Sequence, residues 1–129
     1  MALGDVFRFA TDQAEGHDER DKYHVYLGET DHFRAEGPFS FLFISSGDYG
    51  ACYPISKDSY PFLHHDSFIS CGSIVFYTQE YLDQAAPKHV GKISLEDIVK
   101  LRDHLVDHDF MVSWEINVAC GLLDKMRDE

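Results

Sequence analysis

The chain is poor in positive charge: 11 Lys and Arg stand against 23 Asp and Glu, a formal charge of −12 at pH 7. Nonspecific nucleic-acid binding draws its affinity from phosphate neutralisation, so this composition argues against a general DNA or RNA coat. A small local basic site is still compatible, and the same field attracts basic protein partners. No Lys or Arg lies between Lys57 and Lys88. No apolar run approaches the ~18–20 residues that cross a bilayer. The opening MALGDVFRF lacks a basic segment followed by an apolar stretch, so neither a signal peptide nor membrane association is expected, and a cytoplasmic address is. Cysteine is scarce too: Cys52, Cys71 and Cys120 are an odd number without a C-x-x-C pair. They are expected to be buried reduced thiols rather than a disulfide framework or a zinc site, and no cofactor is expected.

What is present is enough for a core. Of the 129 residues 44% are hydrophobic and 14% aromatic, which fits one folded domain. The chain is organised around Tyr60–Thr78, where Phe68-Ile69-Ser70-Cys71 and Ser73-Ile74-Val75-Phe76-Tyr77-Thr78 alternate on either side of Gly72. These read as two strands bent at the glycine, preceded by a polar His64-His65-Asp66-Ser67 turn.

Residues 4–10 alternate as a first strand, and the charged run 11–22 reads as a long loop of the kind that tends to be functional. Tyr23–Leu27 gives a second strand, Gly28–Pro38 a second polar loop, and Phe39–Ile44 a buried third strand. Ala51–Ile55 is a short strand that Pro54 assigns to an edge. Gln79–Ala86 is a helical turn stopped by Pro87. Ser94-Leu-Glu-Asp97 has the form of a capping box, and Ile93 and Ile98 stand where a hydrophobic staple places them. A helix over 94–107 follows, with Leu95, Ile98, Leu101 and Leu105 at helical spacing. A last helix is expected over 114–126. Strands over about 4–78 followed by helices predict a mainly β chain with C-terminal helices, an α+β domain or a small barrel carrying helices, and the long loops after the first two strands resemble those of SH3-like barrels.

In this order of elements the chain resembles the PemK/MazF-like toxin–antitoxin family, whose fold is an SH3-like barrel with helices. Gly4-Asp5-Val6 is similar to the family's opening at the first strand. Gly16-His17 sits in its variable first loop, and Lys22–Gly28 takes the place of its second strand. Phe43-Ile44-Ser45-Ser46 resembles the end of its third strand, and Val90-Gly91-Lys92-Ile93-Ser94 the lead into its C-terminal helix. The resemblance implies a metal-independent endoribonuclease acting on single-stranded RNA, an antitoxin partner and a homodimer. The family's Arg before strand two and its Thr or Ser after strand three carry over to Lys22 and to Ser45, with Ser46 adjacent. Here Lys replaces the Arg, Tyr23 replaces the Pro that follows it, and Arg20 lies two residues upstream.

RNA cleavage without metal needs a base for the 2′-hydroxyl proton, an acid for the leaving 5′-oxygen and a cation for the phosphate. His17, Arg20 and Lys22 can supply these from one loop, with Ser45 positioning a phosphate oxygen. The alternative is a solvated loop in which Asp18, Glu19 and Asp21 neutralise the basic residues. His64, His65 and Asp66 form a second polar candidate, with His24 and His32 upstream. Successive strand residues point to opposite faces, which works against both imidazoles holding one ion. The pair His104 and His108 is read as favouring a helix C-terminus. Phe39, Phe41 and Phe43 are read as one core-facing row rather than a base-stacking platform, and Trp114 as a core or interface anchor. Two readings follow: a ribonuclease, favoured by the order of elements, and a noncatalytic SH3-like module binding a protein partner, favoured by the acidity.

Overall fold

The structure is a computed structural model that describes residues 2–11, 20–29, 38–46, 52–71, 74–108 and 121. Within these residues the chain forms β1 (Asp5–Thr11), β2 (Arg20–Glu29), β3 (Phe39–Ser45), β4 (Cys52–Ile55), β5 (Ser67–Ser70), β6 (Val75–Tyr77), α1 (Gln79–Ala85), β7 (Lys88–Lys92) and α2 (Leu95–His108). The seven strands make one antiparallel sheet in the order β4-β5-β3-β2-β1-β7, with β6 also paired to β3. The sheet is strongly curled into a half-barrel, so the domain is mainly β in a small barrel-like α+β arrangement. The expected helix over 114–126 lies outside the described residues apart from Gly121.

The central segment behaves as its two alternating runs predict. β5 and β6 both lie antiparallel along the same edge of β3. Continuing the β5 register would set Phe41 opposite position 72, but Phe41 faces Val75, three residues further on. β6 is therefore offset by three residues from the register that β5 sets along β3. A second irregularity lies across the sheet, where the β2–β3 register slips between Tyr26 and Gly28. Gly28 has φ 136°, a conformation that costs a residue with a Cβ dearly, and its carbonyl accepts a 2.7 Å hydrogen bond from Ser40 Oγ. β2 is longer than its apolar residues suggest, running from Arg20 to Glu29, because Ala10 and Thr11 of β1 pair with Asp21 and Arg20. The pairing gives polar residues a ladder partner that periodicity cannot reveal.

The strand that sequence reading misses is β7. It is polar, half-exposed and carries Lys at both ends, the composition that protects an outer edge from pairing with other chains. β4 is the opposite outer strand, and Pro54 sits in it as the missing N–H requires.

Both faces of the sheet are covered. One buries Val6, Val25, Leu42, Ile44 and Ile69 against Ile98, Leu101 and Leu105 of α2. Ile55 of β4 and Ile93, just past β7, join the same cluster, so this is the inside of the curl. Ser94 caps α2, accepting from the Asp97 N–H at 3.2 Å, and the Ile93–Ile98 staple is fully buried. Leu95 is the exception to the expected apolar row: it is 49% exposed. At 100° per residue it lies about a quarter-turn from the centre of the Ile98–Leu101–Leu105 face.

The opposite face is aromatic, with Phe7, Phe9, Tyr26, Phe41 and Tyr77 packed under Leu82 of α1. Thr78 caps that helix by accepting from the Tyr81 N–H at 3.0 Å, and Ala86 ends it in the left-handed region just before Pro87. Phe41 is completely buried, and Phe39 and Phe43 pack against its cluster. The row is core, as its spacing predicts.

His24 sits at the centre of this aromatic layer without solvent contact, stacked on Phe9 at 3.8 Å between ring centres. Its Nδ1 lies 2.9 Å from the Lys22 carbonyl, which can only accept, so Nδ1 carries the proton. Nε2 is then free to accept from the Tyr77 hydroxyl at 3.0 Å, whose oxygen lies 2.7 Å from Thr11 Oγ1. Burial is the main reason that the imidazole pKa falls to about 3; the Lys22 charge adds to it and the Lys22 and Phe7 backbone groups oppose it.

The curl is held by two contacts between the outer edges. Tyr53 of β4 donates to Asp97 Oδ1 at 2.8 Å, and Tyr60, just after β4, donates to Asp97 Oδ2. The Ser94 N–H, just after β7, donates to the Tyr60 oxygen at 3.2 Å. Burial and then the Asp97 hydrogen bond raise the pKa of both tyrosines. Beside them Phe62 approaches β7 closely, and a Cβ on Gly91 would stand 2.5 Å from the Phe62 ring.

These contacts generate three predictions. Asp97→Ala leaves two half-buried hydroxyls without their acceptor and should cost about 2–4 kcal/mol, read as a lowered urea midpoint. Gly91→Ala should cost roughly 1–3 kcal/mol by overpacking, and Phe62→Leu should recover part of that loss in the double variant. Independent, additive effects of the two changes would contradict the Phe62–Gly91 contact. For His24 the folded pKa, about 3, lies below the unfolded value of 6.5, so folding favours the neutral ring. Its stabilisation is complete above pH 6.5 and is lost as pH falls toward 3, a loss of the order of a few kcal/mol. Denaturation midpoints should fall between pH 7 and 5 in the wild type and be flatter over that range in His24→Gln.

Candidate functional site

At one end of the half-barrel the last residues of β3 lie beside the first residues of β2, with Ile44 opposite Tyr23. The chain between β4 and β5 folds over these ends. Together they enclose an open groove of about 170 Å³, lined by Asp21, Lys22, Tyr23, Ile44, Ser45 and Ser46 on the strand side and by Leu63, His64, His65 and Ser67 on the loop side. The floor is apolar, since Ile44 and Leu63 belong to the inner core and Tyr23 packs against it. The rim is polar and carries one ammonium, one carboxylate, two imidazoles and three hydroxyls.

Each wall is fixed from below. Tyr23 donates to the Phe62 carbonyl at 3.3 Å, tying β2 to the loop that carries Leu63 and His64. The loop is pinned again at its far end, where the Lys57 N–H donates to Asp66 Oδ1 at 3.0 Å and Ser67 Oγ donates to the His65 carbonyl at 3.0 Å. This is the locally bonded turn, closing into strand pairing at Ser67, that the residue types suggest. Residues 64 and 65 form a bend rather than part of a strand, so the opposite-faces rule does not apply and both line the groove. Both side chains are exposed. The Asp21 carboxylate is not an isolated negative charge: Arg8, its neighbour across β1, stands 3.5 Å away and lies 5.9 Å above the Tyr23 ring. Both members of that ion pair are about half-exposed, where such a pair contributes well under ~1 kcal/mol but still offsets charge.

Of the residues singled out from the sequence, Lys22, Ser45 and Ser46 come together in this groove. Arg20 is placed by its backbone, opposite Thr11 at the start of β2. His17 lies outside the described residues, as do Asp18, Glu19, His32, Asp48, Trp114 and Cys120. His24 is a core residue rather than a ligand, for the reason given by its burial. His104 is half-buried at the edge of Tyr53, 5.8 Å between ring centres. Among the described residues no group of three His, Cys, Asp or Glu side chains is placed to hold a metal ion. Cys52 and Cys71 are buried free thiols; burial, with Cys52 close by, pushes the Cys71 thiol up to about 12, which suppresses its reactivity.

Sequence reasoning did not find the pairing of Lys22 and Ser45 with His64 and His65. The two clusters were legible separately, but the fold-over of residues 56–66 that joins them depends on Tyr60 reaching Asp97, 37 residues away. Among the described residues no helix is long and apolar enough to cross a membrane. In comparisons with known proteins, no family model matches the chain, and neither a curated protein nor a solved structure matches it at a significant level.

Proposed function

We propose that the curled sheet is an SH3-like barrel of the PemK/MazF kind and that its groove binds and cleaves single-stranded RNA. The observation that carries the reading is that Lys22 and Ser45, widely separated in sequence, line one groove with Ser46. Lys22 supplies a point charge for a phosphodiester, and the hydroxyls of Ser45 and Ser46 supply hydrogen bonds that fix its oxygens. Arg20 starts the same strand, two residues before Lys22, and the sequence-level candidate His17 lies outside the described residues. Tyr23 gives the floor an aromatic surface of the type on which a base stacks. A single-stranded substrate belongs to the same proposal, because unstacked bases can enter a small groove and those of a duplex cannot. A homodimer and an acid-neutralising antitoxin segment belong to the same proposal.

The net charge of −12 and the presence of Asp21 on the rim favour a second reading, a noncatalytic module that docks a basic protein segment in this groove. The two readings separate in one experiment. Purified protein is incubated with a mixed pool of labelled oligoribonucleotides in EDTA, and new ends are mapped. Cleavage that falls at least tenfold in Lys22→Ala and in Ser45→Ala, with unchanged far-UV circular dichroism, supports the nuclease. Intact RNA across the pool removes it and leaves the protein-docking reading.

A further inference from the structure

His64 and His65 have no part in the sequence-level resemblance, yet they line the same groove as Lys22 and Ser45. We infer that these two imidazoles are the general base and general acid of the site, an assignment that rests on the nuclease reading above.

Three features of the site support it. A metal-free transesterification needs two groups that exchange a proton near neutral pH, and imidazole is the side chain whose ordinary pKa lies there. Both imidazoles stand on a short bend whose backbone is held at Asp66 by the Lys57 N–H and at the His65 carbonyl by Ser67 Oγ. Both side chains are exposed, and the backbone that carries them is fixed, which is the support that a positioned acid and base need. In-line displacement also needs base and acid on opposite sides of phosphorus. His64 and His65 are successive residues of a bend, and both line the same groove.

The step balances without any further reactant. The neutral imidazole takes the proton of the ribose 2′-hydroxyl as that oxygen bonds to phosphorus. The phosphorus–O5′ bond breaks, and the imidazolium gives its proton to the departing O5′. The products are a 2′,3′-cyclic phosphate and a 5′-hydroxyl, and the two rings have exchanged protonation states. Lys22 and Ser45 hold the non-bridging phosphate oxygens throughout.

The test uses the full chain in two measurements. In the first, cleavage of the RNA pool is followed from pH 5 to 8.5 for wild type, His64→Ala, His65→Ala and Lys22→Ala. The expected result is a bell-shaped wild-type profile, a loss of roughly 100- to 10,000-fold in each histidine variant, and disappearance of one limb of the bell in each. Lys22→Ala should weaken the rate while keeping both limbs. Full activity in either histidine variant overturns the inference and leaves the nuclease reading standing, whereas an inactive wild type overturns both. In the second, the imidazole Cε1 proton signals are titrated with and without uridine 3′-monophosphate. Both rings should shift and titrate at higher pH with the nucleotide bound, and an unmoved pair overturns the assignment independently of turnover.

Discussion

One carboxylate joins the two ends of the sheet. Asp97 accepts the hydroxyls of Tyr53 and Tyr60 from the β4 side, while Ser94 beside it belongs to the β7 side. An antiparallel sheet has no intrinsic reason to stop curling at a given point. Here the hydrogen bonds of Tyr53 and Tyr60 to Asp97 and the close approach of Phe62 to Gly91 link the two sides of the curl. With the edges so linked, the inner face encloses the apolar side of α2, and the loop between β4 and β5 has to cross the open end of the barrel. That crossing carries Leu63, His64 and His65 over the ends of β2 and β3. The groove is thus a by-product of closure, and its walls are as rigid as the contacts beneath them.

The two faces of the sheet solve burial differently. The inner face is aliphatic and packs on a helix whose cap and staple are local. The outer face is aromatic and contains a histidine that satisfies both nitrogens within the layer, one on a neighbouring carbonyl and one on a tyrosine. A neutral, fully bonded imidazole is compatible with such a layer and a charged one is not, because desolvation penalises the cation. The protein therefore uses histidine in two ways: His24 as a core residue, and His64 and His65 as exposed groups on the groove.

The net acidity of the chain does not decide the character of the groove. Asp21 is partnered by Arg8, and Lys22 shares the rim with two imidazoles. Local arrangement rather than total charge governs what a site attracts at close range, since charges more than a Debye length of about 8 Å away are screened at physiological ionic strength.

Much of the architecture was settled by residue pattern alone. The alternating runs on either side of Gly72, the Phe39–Ile44 strand, the edge position of Pro54 and the Ser94 cap with its Ile93–Ile98 staple are local signals, and each describes a chain segment by its own periodicity or capping chemistry. Tertiary structure decided the rest. β7 exists because β1 offers it a ladder, and its own Lys-His-Val-Gly-Lys composition carries no strand pattern. Leu95 is exposed because the sheet, not the helix, chooses which part of the helix surface is covered. His24 is core because Phe9, Phe41 and Tyr77 converge on it from three other strands. The meeting of Lys22 and Ser45 with His64 and His65 depends on contacts between residues dozens of positions apart, and such contacts leave no mark on the spacing of the residues that make them.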